Sequence, residues 1–139
     1  MLDPLYLLDA NVLSEGVRKQ PNTRVTARIE QQRPVIATAS IVLHELLYGA
    51  GRLPESLRRR NLESYIAAST RDLYILPYDE DAAQWHARER VRLVALGRTP
   101  PFEDGQIAAI AATNGMILVT FNTRDFSNFE GLQIEDWRT

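Results

Sequence analysis

Short apolar runs recur along the chain at residues 5–8, 35–38, 73–76 and 116–120, each closed by proline, glycine or a polar residue. Runs this brief and this uniformly apolar predict strands buried on both faces. Residues 132–135 alternate apolar and polar, which predicts a final strand, with Trp137 anchoring the tail behind it.

Between the strands the pattern changes to a helical period. Asn22 and Thr23 cap a helix over 24–32, in which Val25 and Ile29 share a face, and Pro34 closes it. Thr38 or Ser40 caps the next helix, which runs to about Ala50. Its Ile41, Val42, Leu43, Leu46 and Leu47 cover so much of the circumference that it is expected to be largely buried. Leu57, Leu62, Tyr65 and Ile66 mark a further helix from Pro54 to about Thr70. Asp79, Glu80 and Asp81 then enrich the opening turn of a helix through Val94, the charge that exposed N–H groups favour. After a rigid loop at 97–101, residues 102–112 form an alanine-rich helix that Asn114 and Gly115 stop. Strands alternating with longer helices predict an α/β fold, a three-layer α/β/α sandwich around a mostly parallel sheet. At 139 residues the chain suits one domain over 1–139.

Composition narrows the chemistry. Cysteine is absent, so disulfides and thiolate metal sites are excluded and a reducing compartment is permitted. No secretory pattern and no membrane-length apolar run is present, which makes the cytoplasm the expected location. A net charge of -2 argues against a protein that coats nucleic acid by bulk charge. A local basic rim beside an acidic site is still compatible with it. Lys19 is the lone lysine among 16 basic residues, and arginine suits bidentate contacts to phosphate or carboxylate.

In an open α/β sheet the carboxyl ends of the strands gather along one edge, where such folds bind ligands. Asp9 stands where the first strand ends, with Asn11 on the same turn. Glu45 sits mid-helix among apolar neighbours, where a lone carboxylate is costly unless a cation or a donor meets it. Asp104 lies in the first turn of the 102–112 helix, and Ala108 and Ala111 on its face allow a close approach to the sheet. Thr120, Asn122 and Asp125 follow the clearest strand. Each acid has a plainer alternative: Asp9 and Asp104 as helix caps, and Glu45 on a wet stripe beside His44. Taken together, Asp9, Glu45, Asp104 and Asp125 form a set of oxygen donors whose mutual repulsion a divalent cation relieves. Mg2+ or Mn2+ suits carboxylates with retained waters, and one or two such ions ready a water for phosphodiester hydrolysis. His44 and His86 make no zinc pattern, and no phosphate-cradling glycine loop is present. Ser14 reads as a cap or a water-holding hydroxyl rather than a nucleophile.

Four stretches carry a resemblance across nearly the whole chain. They are Leu8-Asp9-Ala10-Asn11-Val12; Ser40-Ile41-Val42-Leu43-His44-Glu45-Leu46 with Gly49 behind it; Asp104-Gly105-Gln106-Ile107-Ala108-Ala109-Ile110-Ala111; and residues 120–126. In this order they resemble the PIN-domain ribonucleases, in particular the VapC and FitB type toxins of bacterial toxin–antitoxin pairs. The resemblance implies that Asp9, Glu45 and Asp104 hold Mg2+ or Mn2+ and that Asp125 completes the site directly or through water. It makes Asn11, Thr120 and Asn122 polar supports around those ligands. It further implies an RNA substrate, a homodimer involving the 54–70 helix, and a small cognate antitoxin that binds operator DNA and pushes a C-terminal peptide into the acidic groove, giving a larger complex on that DNA. An arginine fork satisfies two carboxylates, so an antitoxin arginine is expected beside Asp104 or Asp9. Arg58, Arg59, Arg60 and Arg98 are candidates for contact with RNA phosphates. Two other readings stay open from the residues: a phosphatase or phosphotransferase with Asp9 as nucleophile, although the nearby lysine and second acid it wants are missing, and a PIN-like module that binds without turnover.

Overall fold

The computed structural model describes residues 2–139. Five strands form one sheet: β1 (Tyr6–Leu8), β2 (Ile36–Ala39), β3 (Tyr74–Leu76), β4 (Ile117–Val119) and β5 (Gln133–Glu135). Their spatial order is β3-β2-β1-β4-β5 and every pairing is parallel. The helices are α1 (Ala10–Leu13), α2 (Thr23–Gln32), α3 (Ser40–Gly51), α4 (Leu57–Thr70), α5 (Glu80–Ala95), α6 (Phe102–Thr113) and α7 (Thr123–Phe126). The predicted α/β sandwich is present, and its sheet is parallel throughout.

The chain steps outward from β1 to β2 to β3, then returns across the sheet to β4 and β5. Right-handed crossovers, the rule for parallel strands, place α2, α3 and α4 on one face and α5, α6 and α7 on the other. The packing pairs agree: α3 lies on α4, α5 on α6, and α6 on α7. Reversal of the strand order falls between β1 and β4, so a crevice opens at their carboxyl ends. Leu7, Leu8, Ala37, Leu118 and Val119 are fully enclosed, which is why those runs carry no polar alternation. Ala108, Ala109 and Ala111 are fully enclosed too, the small side chains letting α6 settle closely against its neighbours. Trp137 is buried at the tail, edge-on to Tyr6 with ring centroids 5.1 Å apart.

Three local expectations need correction. α3 opens on Ala39 with no side-chain cap; the Thr38 hydroxyl donates instead across the sheet to the Leu8 carbonyl at 2.8 Å, while Ser40 is already the first helical residue. α3 is also less buried than its composition suggests: Val42 and Ala50 are enclosed, but Leu47 and Tyr48 are 47% and 60% exposed. The polar loop after β4 contains a short helix, α7, whose Phe126 inserts into the core. Asp79 caps α5 as expected, accepting from the Ala82 N–H at 2.9 Å.

Candidate active site

The crevice between β1 and β4 is built from the two residues that follow the last paired position. Leu8 lies opposite Val119, and the Asp9 N–H donates to the Val119 carbonyl at 2.9 Å, so Asp9 and Thr120 leave the sheet side by side. Asp9 is only 6% exposed. One carboxylate oxygen accepts from the Ala10 N–H at 2.8 Å and the other from the Thr120 hydroxyl at 2.9 Å. Asp9 is therefore both the cap of α1 and the deepest acid of the crevice. Burial pushes its pKa up, the Thr120 and Ala10 hydrogen bonds pull it back in part, and the charge of Glu103 raises it further. Thr120 in turn accepts from the Asn122 N–H at 3.1 Å, and the Asn11 side-chain oxygen accepts from the Phe121 N–H at 3.3 Å. Thr120 and Asn11 thus hold the loop after β4 against the start of α1. Asn122 takes part through its backbone.

Glu45 projects from α3 and Asp104 from the first turn of α6, both half-buried. Glu45 is pushed up to about 8, first by burial, then by a hydrogen bond with Glu103 and by the charges of Glu103, Asp9 and Asp104. Asp104 is raised to about 6 by burial and by the charges of Asp9, Asp125 and Glu103. The positive end of α6 favours an anion at Asp104, yet desolvation and three like-charged neighbours outweigh it. Asp125, on α7, is exposed at the outer margin of the group. Asp9, Glu45, Asp104 and Asp125 are thus brought within reach of one another's charge. Glu103 is a fifth member that sequence reasoning missed.

The donor set fits a hard divalent cation, being all carboxylate and hydroxyl oxygen with like charges that a cation would relieve. Among the described residues no three acids or imidazoles stand close enough to grip an ion as they are placed. Glu45 and Glu103 face each other as like charges, which helps to keep Glu45 raised. Asp9, too, has both oxygens engaged, which makes it a poor free nucleophile and weighs against a phospho-aspartyl route.

Residues 6–132 match the family described as the PIN domain. The chain belongs to the PIN-domain family. It is 34% identical over 134 residues to the tRNA(fMet)-specific endonuclease VapC of Shigella flexneri, covering 95% of this chain and 97% of that one. It is 32% identical to Toxin FitB of Neisseria gonorrhoeae over 88% of this chain and 91% of the other. Its backbone superposes on the structure of FitAB bound to the IR36 DNA fragment with a TM-score of 0.88 at 29% identity, covering 97% of this chain and 96% of that chain. Within the PIN-domain family it is a ribonuclease toxin of the VapC/FitB type, from a group of nucleases that are typically metal-dependent.

The arginines named as candidate contacts of this PIN-domain toxin separate into two kinds. Arg59 is committed within the molecule, facing Glu63 at 3.5 Å and Glu55 at 3.8 Å and donating to the Leu53 carbonyl at 3.3 Å. Arg58, Arg60 and Arg98 are exposed and have no carboxylate partner among the described residues. Behind Asp104, Gly105 is buried against His86, whose Nδ1 is paired with the Tyr78 hydroxyl at 2.8 Å and whose Nε2 has no partner. Among the described residues no helix is long and apolar enough to cross a membrane.

Proposed function

We propose that this chain is a Mg2+- or Mn2+-dependent endoribonuclease whose cation is held by Asp9, Glu45 and Asp104, with Asp125 completing the site directly or through water. The observation that carries the reading is the gathering of acids in one crevice: burial raises both Glu45 and Asp104, and the charges of Glu103, Asp9 and Asp104 raise Glu45 further, as those of Asp9, Asp125 and Glu103 raise Asp104. When bound, such a cation lowers the pKa of water and stabilises the oxygens of an in-line phosphoryl displacement. The protein's own residues supply the frame. Thr120 fixes the orientation of Asp9, Asn11 fixes the loop that carries Asp125, and the half-buried Glu45 and Asp104 would offer carboxylate oxygens to the cation. RNA is the substrate class, supported by the VapC ribonucleases to which the chain is similar.

The similar solved structures include DNA-bound VapBC from Salmonella typhimurium, 28% identical with a TM-score of 0.83. By that likeness the partner of this chain is a small DNA-binding antitoxin encoded beside it, acting in the cytoplasm and forming a larger complex on operator DNA. An arginine of the antitoxin reaches Asp104 or Asp9, taking the place of the cation. Leu47, Tyr48 and Leu57, exposed on α3 and α4, supply apolar surface for a homodimer.

The test is cleavage of single-stranded RNA by the purified toxin with Mn2+, with EDTA, and after Asp9→Asn or Asp104→Asn. Cleavage in the Mn2+ lane alone is expected. Equal cleavage in every lane, or none in any, overturns the assignment.

A further inference from the structure

Beside the acidic crevice, on the far side of Asp125, lies an open cleft of about 320 Å3. Its walls are the loop after α5, with Arg98 and Thr99, and the stretch from α7 onward, with Arg124, Asp125 and Asn128. Pro101, which caps the start of α6, lines it as well, so the positive end of that helix borders the cleft. Neither Arg98 nor Arg124 has a carboxylate partner among the described residues, whereas Arg18, Arg28, Arg33, Arg59, Arg92 and Arg138 all do. Two guanidinium groups lining one cleft repel each other and gain from an anion held between them.

We propose that this cleft is a phosphate subsite, in which Arg98 and Arg124 grip an RNA phosphodiester neighbouring the one presented to Asp9, Glu45 and Asp104. The inference rests on the nuclease reading and extends it to how the strand is held. Guanidinium forks match phosphate oxygens in pairs, and the size of the cleft suits one phosphate with part of its ribose rather than a folded ligand. Asp125 connects the two places: it lines the cleft, and its charge reaches Asp104. An occupant that spans both must offer one anionic group to the arginines and another to the acids with their cation. A polynucleotide backbone does this at every step, and an isolated carboxylate side chain does not. Thr99 and Asn128 add neutral hydrogen-bonding groups at the rim without a charge of their own.

The experiment measures binding of a 5′-labelled single-stranded RNA by anisotropy across a salt series, in an Asp104→Asn background that prevents cleavage. Arg98→Gln with Arg124→Gln is compared with Arg24→Gln with Arg71→Gln, which removes the same charge from exposed sites on α2 and at the end of α4. The first pair is expected to weaken binding at least 10-fold and to flatten the slope of log K against log salt by about 0.7, the contribution of the one single-strand phosphate contact that is lost. The second pair is expected to change affinity less than about 2-fold, as unspecific surface charge does. A walk of single neutral methylphosphonates along the RNA should find one position that weakens binding to the Asp104→Asn protein and has no effect once Arg98 and Arg124 are replaced. Equal losses from both pairs, or a methylphosphonate effect that survives the replacement, overturns the subsite. If the wild type cleaves RNA with Mn2+ and replacing the two arginines leaves kcat/KM unchanged, the subsite falls and the nuclease reading stands. A wild type that neither binds nor cleaves RNA removes both.

Discussion

Gly105 gives the sharpest test of how the acidic turn of α6 is positioned. Its backbone is ordinary helix, so no unusual conformation demands glycine there. In an open helical position, Gly→Ala stabilises by about 1 kcal/mol. Here a methyl group would overlap His86 Nε2, with the ring's Cδ2 at 2.6 Å and Cε1 at 3.1 Å. His86 is 2% exposed, its Nδ1 is tied to Tyr78, and Phe102 packs on it with centroids 4.8 Å apart, so the ring has no free direction in which to retreat. Overpacking of this kind costs about 1–3 kcal/mol, which outweighs the propensity gain. With the ring unable to retreat, the cost lies in the upper part of that range, about 2–3 kcal/mol, so Gly105→Ala is expected to destabilise by about 1–2 kcal/mol, lowering Tm by roughly 3–7 °C in a chain of this size. In a His86→Ala background, already weakened by its own cavity, the same substitution should change sign and stabilise by about 0.5–1 kcal/mol. Denaturant melts of the four proteins in EDTA measure this, and Mn2+ titration by calorimetry should show weaker binding for Gly105→Ala alone, because Glu103 and Asp104 ride on the displaced turn. A Gly105→Ala protein more stable than wild type, with Mn2+ affinity intact, refutes the argument.

The remaining predictions concern the acids and their supports. Glu45 and Asp104 hold protons more tightly folded than unfolded, so as pH rises from about 4 the unfolded chain ionises first and the metal-free protein loses stability up to about pH 8. Tm in EDTA should fall across that window, and saturating Mn2+ should abolish or reverse the fall; a flat profile in EDTA contradicts the shared crevice. Glu103→Gln removes the charge and the proton partner of Glu45, which should bring the Glu45 titration, followed by carboxylate NMR, back toward its ordinary range. Thr120→Val deletes a buried hydroxyl bonded to both Asp9 and the Asn122 N–H, with an expected cost of about 1–3 kcal/mol in denaturant and a shift of Mn2+ binding to higher pH, because the Thr120 bond lowers the Asp9 pKa. Glu15→Ala is expected to cost about 1–3 kcal/mol, since it leaves the Asn22 N–H ahead of α2 without its acceptor, while the exposed Arg18 is hydrated once released.

Much of this was legible from pattern alone, for local reasons. The enclosed strands announced themselves because burial on both faces forbids polar residues, and Asp9 stood out because it ends such a run. Asp79 was readable as a cap because the next turn is acidic and the helix long. The misses arose where neighbours distant in sequence decide. Thr38 looked like a cap, but the Leu8 carbonyl across the sheet takes its hydroxyl. Leu47 looked like a core residue because composition cannot tell a helix face turned inward from one turned outward. Glu103 could have been singled out only by its place beside Asp104 in the same turn; whether it meets Glu45 depends on how α3 and α6 lie together, which no period in either helix encodes. Arg59 was grouped with Arg58 and Arg60 by adjacency, though the helix turns it toward Glu55 and Glu63.

The hydroxyl of Thr120 reaches Asp9 across 111 positions of sequence. Because β4 must pair beside β1 before that contact exists, everything from Asp9 through Thr120 has to leave the ribosome before Asp9 can be held in place. A chain still being translated, or one ended early by a nonsense codon ahead of Thr120, carries Asp9, Glu45 and Asp104 but lacks the strand that brings the first of them to order. The topology thereby withholds an ordered Asp9 until β4 has been made and has paired.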